Sequence, residues 1–117
     1  KGWLNNQSRD LFFNDIDLLC MPSVYECFGN TAAEAIARRK PVIVSNKTGI
    51  SEVIALYKAG IVIKPSVKNI YKSIMFVIDN PVNTKKMLKN TVFAFKDSLS
   101  TTAYCNSISK IYISLKK

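Results

Sequence analysis

The chain has 117 residues, 48% of them hydrophobic and 21% charged, with a formal charge of +9 and no histidine. That length holds one small domain or a piece of a larger one, and no apolar run approaches the ~18 to 20 residues a membrane-crossing helix needs. Without histidine, an ordinary zinc site and a Ser-His or Cys-His nucleophile pair are excluded within the chain.

In chain order, residues 6–14 set Leu11, Phe12 and Phe13 against Arg9 and Asp10, the pattern of a short amphipathic helix. Residues 16–21 form an apolar run closed by Pro22-Ser23, which suits a strand buried on both faces. Residues 31–38 are alanine-rich and free of breakers, hence helical. A second apolar run at 41–44 reads as a strand, residues 50–54 as a short helix, and 60–65 as a third strand bracketed by Gly60 and Pro65. Strand alternating with helix across short joints predicts an α/β fold: a Rossmann-like open parallel sheet with helices on both faces.

The rest, 66–117, is expected to be helical. Val67, Ile70, Tyr71, Ile74, Val77 and Ile78 recur at helical spacing, with Lys68 and Lys72 opposite. Asn80-Pro81 breaks that helix, a second is expected from about 82 to 95, and a third from about 100, with Tyr104, Ile108, Ile111, Tyr112 and Leu115 as its stripe. Both stripes read as core. The whole is expected to be a single partial domain, 1–117, whose α/β half is 1–65.

Charge is uneven. Residues 1–60 carry seven Lys or Arg against six Asp or Glu, whereas 61–117 carry ten Lys against two Asp. A basic half of this kind can face an anionic surface. Its lysines lack the arginine forks and aromatic interleaving of base readout, so nucleic acid is not an expected partner. A peripheral contact with an anionic membrane is the alternative it leaves open. The opening Lys1-Gly2-Trp3-Leu4 carries no signal-peptide pattern, and Cys20, Cys27 and Cys105 share no metal-ligand spacing. Reduced thiols in a cytoplasmic protein are the expectation.

Ligands of open α/β sheets bind beyond the carboxyl ends of the strands. The first such loop runs over residues 22–31, with Gly29 for close backbone approach and a helix start directly after it. Glu26 and Glu34 flank that start with seven residues between them. Thr31 to Glu34 also fits a capping box, Glu26 a solvated loop position and Gly29 a plain turn. Local chemistry thus points to an anion site at a helix N-terminus and no further.

The ordered set from Asp17 through Glu26, Phe28-Gly29, Glu34 and Lys40-Pro41-Val42-Ile43-Val44 to Gly49-Ile50-Ser51-Glu52-Val53-Ile54 resembles the group 1 (family four) retaining glycosyltransferases. The match covers roughly residues 10–65 and corresponds to the donor-binding C-terminal domain of a GT-B enzyme. The resemblance implies a nucleoside diphosphate sugar as donor, no cofactor and no metal. Glu26 matches the glutamate beside the reacting sugar carbon. Phe28, Gly29, Asn30 and Thr31 match the segment holding sugar and diphosphate, and Glu34 matches the ribose-binding glutamate. Gly2 resembles a glycine near the base.

Several departures accompany the match. Cys27 stands where small residues are common, Arg38-Arg39 replaces a glycine-containing turn, and Thr48 replaces the first of two glycines. Asp15-Ile16-Asp17 imitates an Asp-x-Asp metal motif but sits at the family's strand start. The family's phosphate-binding Arg and Lys and its acceptor domain fall outside these residues, so the chain alone is expected to be inactive. A GT-B epimerase, disfavoured by the lack of histidine, and a degenerate nucleotide-binding or interaction module are the competing readings. Acceptor and sugar are not specified by these residues.

Overall fold

A computed structural model describes Gly2 and residues 4–116; the expectations for Lys1, Trp3 and Lys117 (the opening residues and the last lysine of the basic half) lie outside the described residues. Helix α1 (Asn6–Asp15) starts where the Asn5 side chain accepts the Ser8 N–H at 2.8 Å. Strand β1 (Leu19–Met21), helix α2 (Asn30–Ala37), strand β2 (Val42–Ser45), helix α3 (Ser51–Tyr57) and strand β3 (Gly60–Ile63) follow. Then come α4 (Val67–Asp79), α5 (Pro81–Ala94), a π-helical turn (Phe95–Leu99) and α6 (Thr101–Leu115). Proline at the first position of α5 starts that helix, since its missing N–H would be unpaired there anyway.

The three strands are parallel in the order β1-β2-β3, so the open parallel sheet flanked by helices is as expected. Leu19 pairs with Val42, and Val42 with Gly60. Alternation puts Val42, Val44 and Val62 on one face, where they join Ala32, Ala35 and Ile36 of α2 and Ile54 of α3 in the main core. Ile43 points the other way and is equally buried, so β2 is covered on both faces. Phe13 closes the core from α1, and Ala94 from α5. Helix α4 packs on β2, β3 and α5.

Three expectations need correction. Strand β1 is half the length of its apolar run, because Ile16 is the extended cap of α1 and Asp17 lies in a bend. The apolar stripe of α4 is only partly core: Val67, Tyr71 and Ile78 are exposed, while Ile70, Ile74 and Val77 are half-buried. The α6 stripe is not core within this chain, since no residue of α6 is buried and the helix packs mainly on the π-helical turn. Periodicity reports that a helix has an apolar side, not that the same chain covers it.

Candidate functional site

Beyond the carboxyl ends of β1 and β2, two loops run side by side. Glu26 and Thr48 form an isolated parallel bridge, with the Glu26 N–H donating to the Lys47 carbonyl at 3.1 Å and the Ile50 N–H to the Phe28 carbonyl at 2.8 Å. This continues the β1–β2 pairing past the strands and fixes the backbone that carries Glu26. Thr48, which stands in place of a glycine, is buried and donates its hydroxyl to the Ser45 carbonyl at 2.8 Å, bracing the turn. Gly49 cannot be replaced so easily, because a Cβ there would lie 2.6 Å from the Cys27 carbonyl oxygen and 3.2 Å from Phe28 Cα.

Gly29 is the N-cap of α2, at φ +101° and ψ +55°, a conformation that favours glycine. Its carbonyl accepts the N–H groups of Ala32 and Ala33 at 3.0 and 3.1 Å. The amides of Asn30 and Thr31 are left with no partner among the described residues, and they open on the positive end of the helix. With the cap at Gly29, the capping-box reading of Thr31 and Glu34 fails by position. Glu34 sits on the next turn and takes Arg9 Nη1 on its Oε1 at 3.2 Å instead.

The candidate residues are thus grouped but not all in one hollow, although Asn30 and Glu34 both border one along α2. Thr31 and Glu34 line a cavity of about 270 Å³ with Gly2, Leu4, Arg9 and Phe12. Phe28 and Asn30 line a second, of about 520 Å³, with Ser98, Thr101 and Tyr104. The helix start lies between them. Glu26 is exposed on the loop before it, its Cγ within 3.9 Å of where a Cβ on Gly29 would be. Cys27 is an exposed free thiol, and partial burial raises the pKa of the Cys20 thiol.

Arg9 was not singled out by sequence pattern, which set it on the polar side of α1. It lies 25 positions from Glu34, and no local spacing links the two. Arg38 is a similar case. Its guanidinium pairs with Asp10 of α1 and stands 4.9 Å over the Phe13 ring, so the α2 terminus is tied to α1. The glycine-containing turn that Arg38-Arg39 replaces leaves its mark at Arg39, held at φ +58° without being glycine.

An open parallel sheet with a helix N-terminus beyond its carboxyl edge defines the doubly wound α/β class, in which ligands bind at that edge. The chain belongs to the family described as glycosyl transferases group 1, whose sequence model matches residues 1–93. It is 31% identical over 105 residues to the alpha-1,3/1,6-mannosyltransferase ALG2 of Dictyostelium discoideum, covering 90% of this chain and 25% of that protein. An uncharacterized glycosyltransferase of Methanocaldococcus jannaschii is 38% identical over 64 residues, 55% of this chain and 16% of its own length. The chain therefore spans a quarter or less of these curated relatives. In fold it is similar to sucrose-phosphate synthase of Thermosynechococcus elongatus, with TM-score 0.81 and 22% identity over 98% of this chain and 29% of the other. It is also similar to the C-terminal domain of a group 1 glycosyl transferase of Francisella tularensis, with TM-score 0.76 and 20% identity over 86% of this chain and 53% of that one. The fold is that of the GT-B C-terminal domain.

Proposed function

We propose that the protein transfers a hexosyl unit from a nucleoside diphosphate sugar to an acceptor with retention of configuration, and that this chain supplies the donor site. The observation that carries this reading is the meeting of Glu26, on its bridged loop, with the unpaired Asn30 and Thr31 amides at the start of α2. Those amides suit a diphosphate. Phe28 and Gly29 bring the backbone close to the sugar, and the Glu26 carboxylate faces positive charge developing on its ring. Glu34 takes the ribose hydroxyls on the carboxylate oxygen that Arg9 leaves open. No metal or other cofactor has a part in this scheme. Acceptor recognition is assigned to the rest of the protein, and the free thiols suit the cytoplasm.

The test is turnover of UDP-, GDP- and ADP-sugars by the full-length protein, with mannosyl donors first because the Dictyostelium relative is a mannosyltransferase. One donor is expected to be consumed, and proton NMR is expected to show a product anomer matching the donor. An inverted product would remove retention, and no turnover of any donor would favour an inactive binding module.

Arg9 gives a second handle on the same site. Arg9→Ala leaves Glu34 unoriented, so the donor KM is expected to rise about fivefold, the worth of one partly exposed charged hydrogen bond, with kcat nearly unchanged. Arg9→Lys should recover part of the loss. Steady-state kinetics check this, and an unaltered KM would detach Arg9 from donor binding.

A further inference from the structure

Every lysine from Lys64 to Lys96 is exposed, and Asp79 is the single acidic residue in that stretch. The ion pairs among the described residues belong to Arg9 and Arg38, so these lysines are not spent on internal pairing. The concentration is greatest on α5, which carries three lysines and no acid. Positions 82, 85, 86, 89, 92 and 93 recur every three or four residues and therefore share one side of that helix. All six are exposed: Lys85, Lys86 and Lys89 alternate with Val82 (67% exposed), Val92 (40%) and Phe93 (57%). The other side, with Thr91 and Ala94, is already packed, and α5 contacts α2 and α3.

Val82, Val92 and Phe93 thus leave much of their apolar surface uncovered by this chain. What distinguishes this patch is that its apolar groups are contiguous on one helix side with three lysines that no acid of the helix pairs. We propose that the outer side of α5 docks on an anionic lipid surface, its lysines meeting headgroup phosphates while Val82, Val92 and Phe93 enter the headgroup–acyl boundary. Interfacial helices have this composition, basic and apolar groups on a side that lies in the plane of the membrane. Helix α4, packed against α5, adds Lys68 and Lys72 to the field. The stretch 64–96 contains no arginine, which sets it apart from base readout by bidentate forks. Lysine as a point charge is sufficient for headgroup phosphate. None of these residues belongs to the candidate donor site, so the inference stands or falls apart from the proposed reaction.

The experiment is sedimentation of the full-length protein with vesicles of phosphatidylcholine alone or mixed with phosphatidylserine, across a salt series. Binding to the mixed vesicles is expected, weakening as salt rises. Lys85→Gln, Lys86→Gln and Lys89→Gln together are expected to lower the partition constant about a hundredfold, given the attraction each lysine contributes near such a surface. Phe93→Gln is expected to weaken the binding that survives at high salt. Glutamine keeps helix propensity, and an unchanged thermal melt of the variants confirms that the fold is retained. The proposal is overturned if the wild type binds neither vesicle, or if the triple variant binds as well as the wild type. Retention on heparin without vesicle binding would also overturn it, in favour of a soluble polyanion.

Discussion

Replacing Glu26 by alanine is expected to lower donor turnover by about a hundredfold, roughly 2.7 kcal/mol of transition-state stabilisation. The expectation follows from where the carboxylate is carried. Its backbone is tied to the neighbouring loop through Lys47 and Thr48, so the exposed side chain starts from a fixed point just before the α2 terminus. A negative group fixed beside a ring gaining positive charge acts more on the transition state than on the ground state. The loss should therefore fall on kcat, with donor KM changing little. Glu26→Gln separates charge from shape, since it keeps the size and one acceptor oxygen but not the charge, and it should lose nearly as much as alanine. Kinetics of both variants with the best donor decide the matter. Turnover within a few-fold of wild type in either would take Glu26 out of the chemistry.

The largest expected effect on stability comes from Gly60→Ala. Gly60 pairs with Val42 across the β2–β3 ladder, and a Cβ added there would lie 2.0 Å from the Val42 carbonyl oxygen and 2.9 Å from its carbon. Both atoms are backbone of the central strand, and Val42 is fully buried. No side chain can swing aside to relieve the contact, so β3 must draw away from β2 and give up ladder bonds. Overpacking alone costs about 1 to 3 kcal/mol, and adding damage to the ladder places this variant at about 3 kcal/mol or more. Gly2 is the contrast: its φ is +72°, but no atom lies within 4 Å of a Cβ there. Urea midpoints of the two alanine variants should differ widely, and equal midpoints would mean that β2 and β3 have slack.

The sheet was legible because its strands are short apolar runs between turn residues, and its helices carry their own periodicity. Three strands and six helices lie where residue pattern puts them. What pattern could not supply came from contacts distant in sequence. The π-helical turn at Phe95–Leu99 fills the gap between the helices expected to end near 95 and to start near 100. The exposure of Val67, Tyr71 and the α6 stripe depends on what lies opposite, which no single segment encodes. At the site, the order of Glu26, Gly29 and Glu34 was readable from a family resemblance. The Arg9–Glu34 pair was not, because it depends on how α1 settles against α2. Nor was the Glu26–Thr48 bridge, which needs two loops to meet.

The exposure of α6 has a consequence for the cavity beside Phe28 and Asn30. One wall of that cavity is the start of α2, a helix anchored in the core by Ala32, Ala35 and Ile36. The opposite wall includes Thr101 and Tyr104 of α6, a 15-residue helix with no buried residue. A helix of that length is marginal in water by itself, and α6 is supported mainly by the π-helical turn, so its hydrogen bonds are expected to open at lower free energy than those of the sheet. The cavity is therefore hard on one side and soft on the other. Its width is governed less by the strands that place Glu26 than by whatever surface steadies α6.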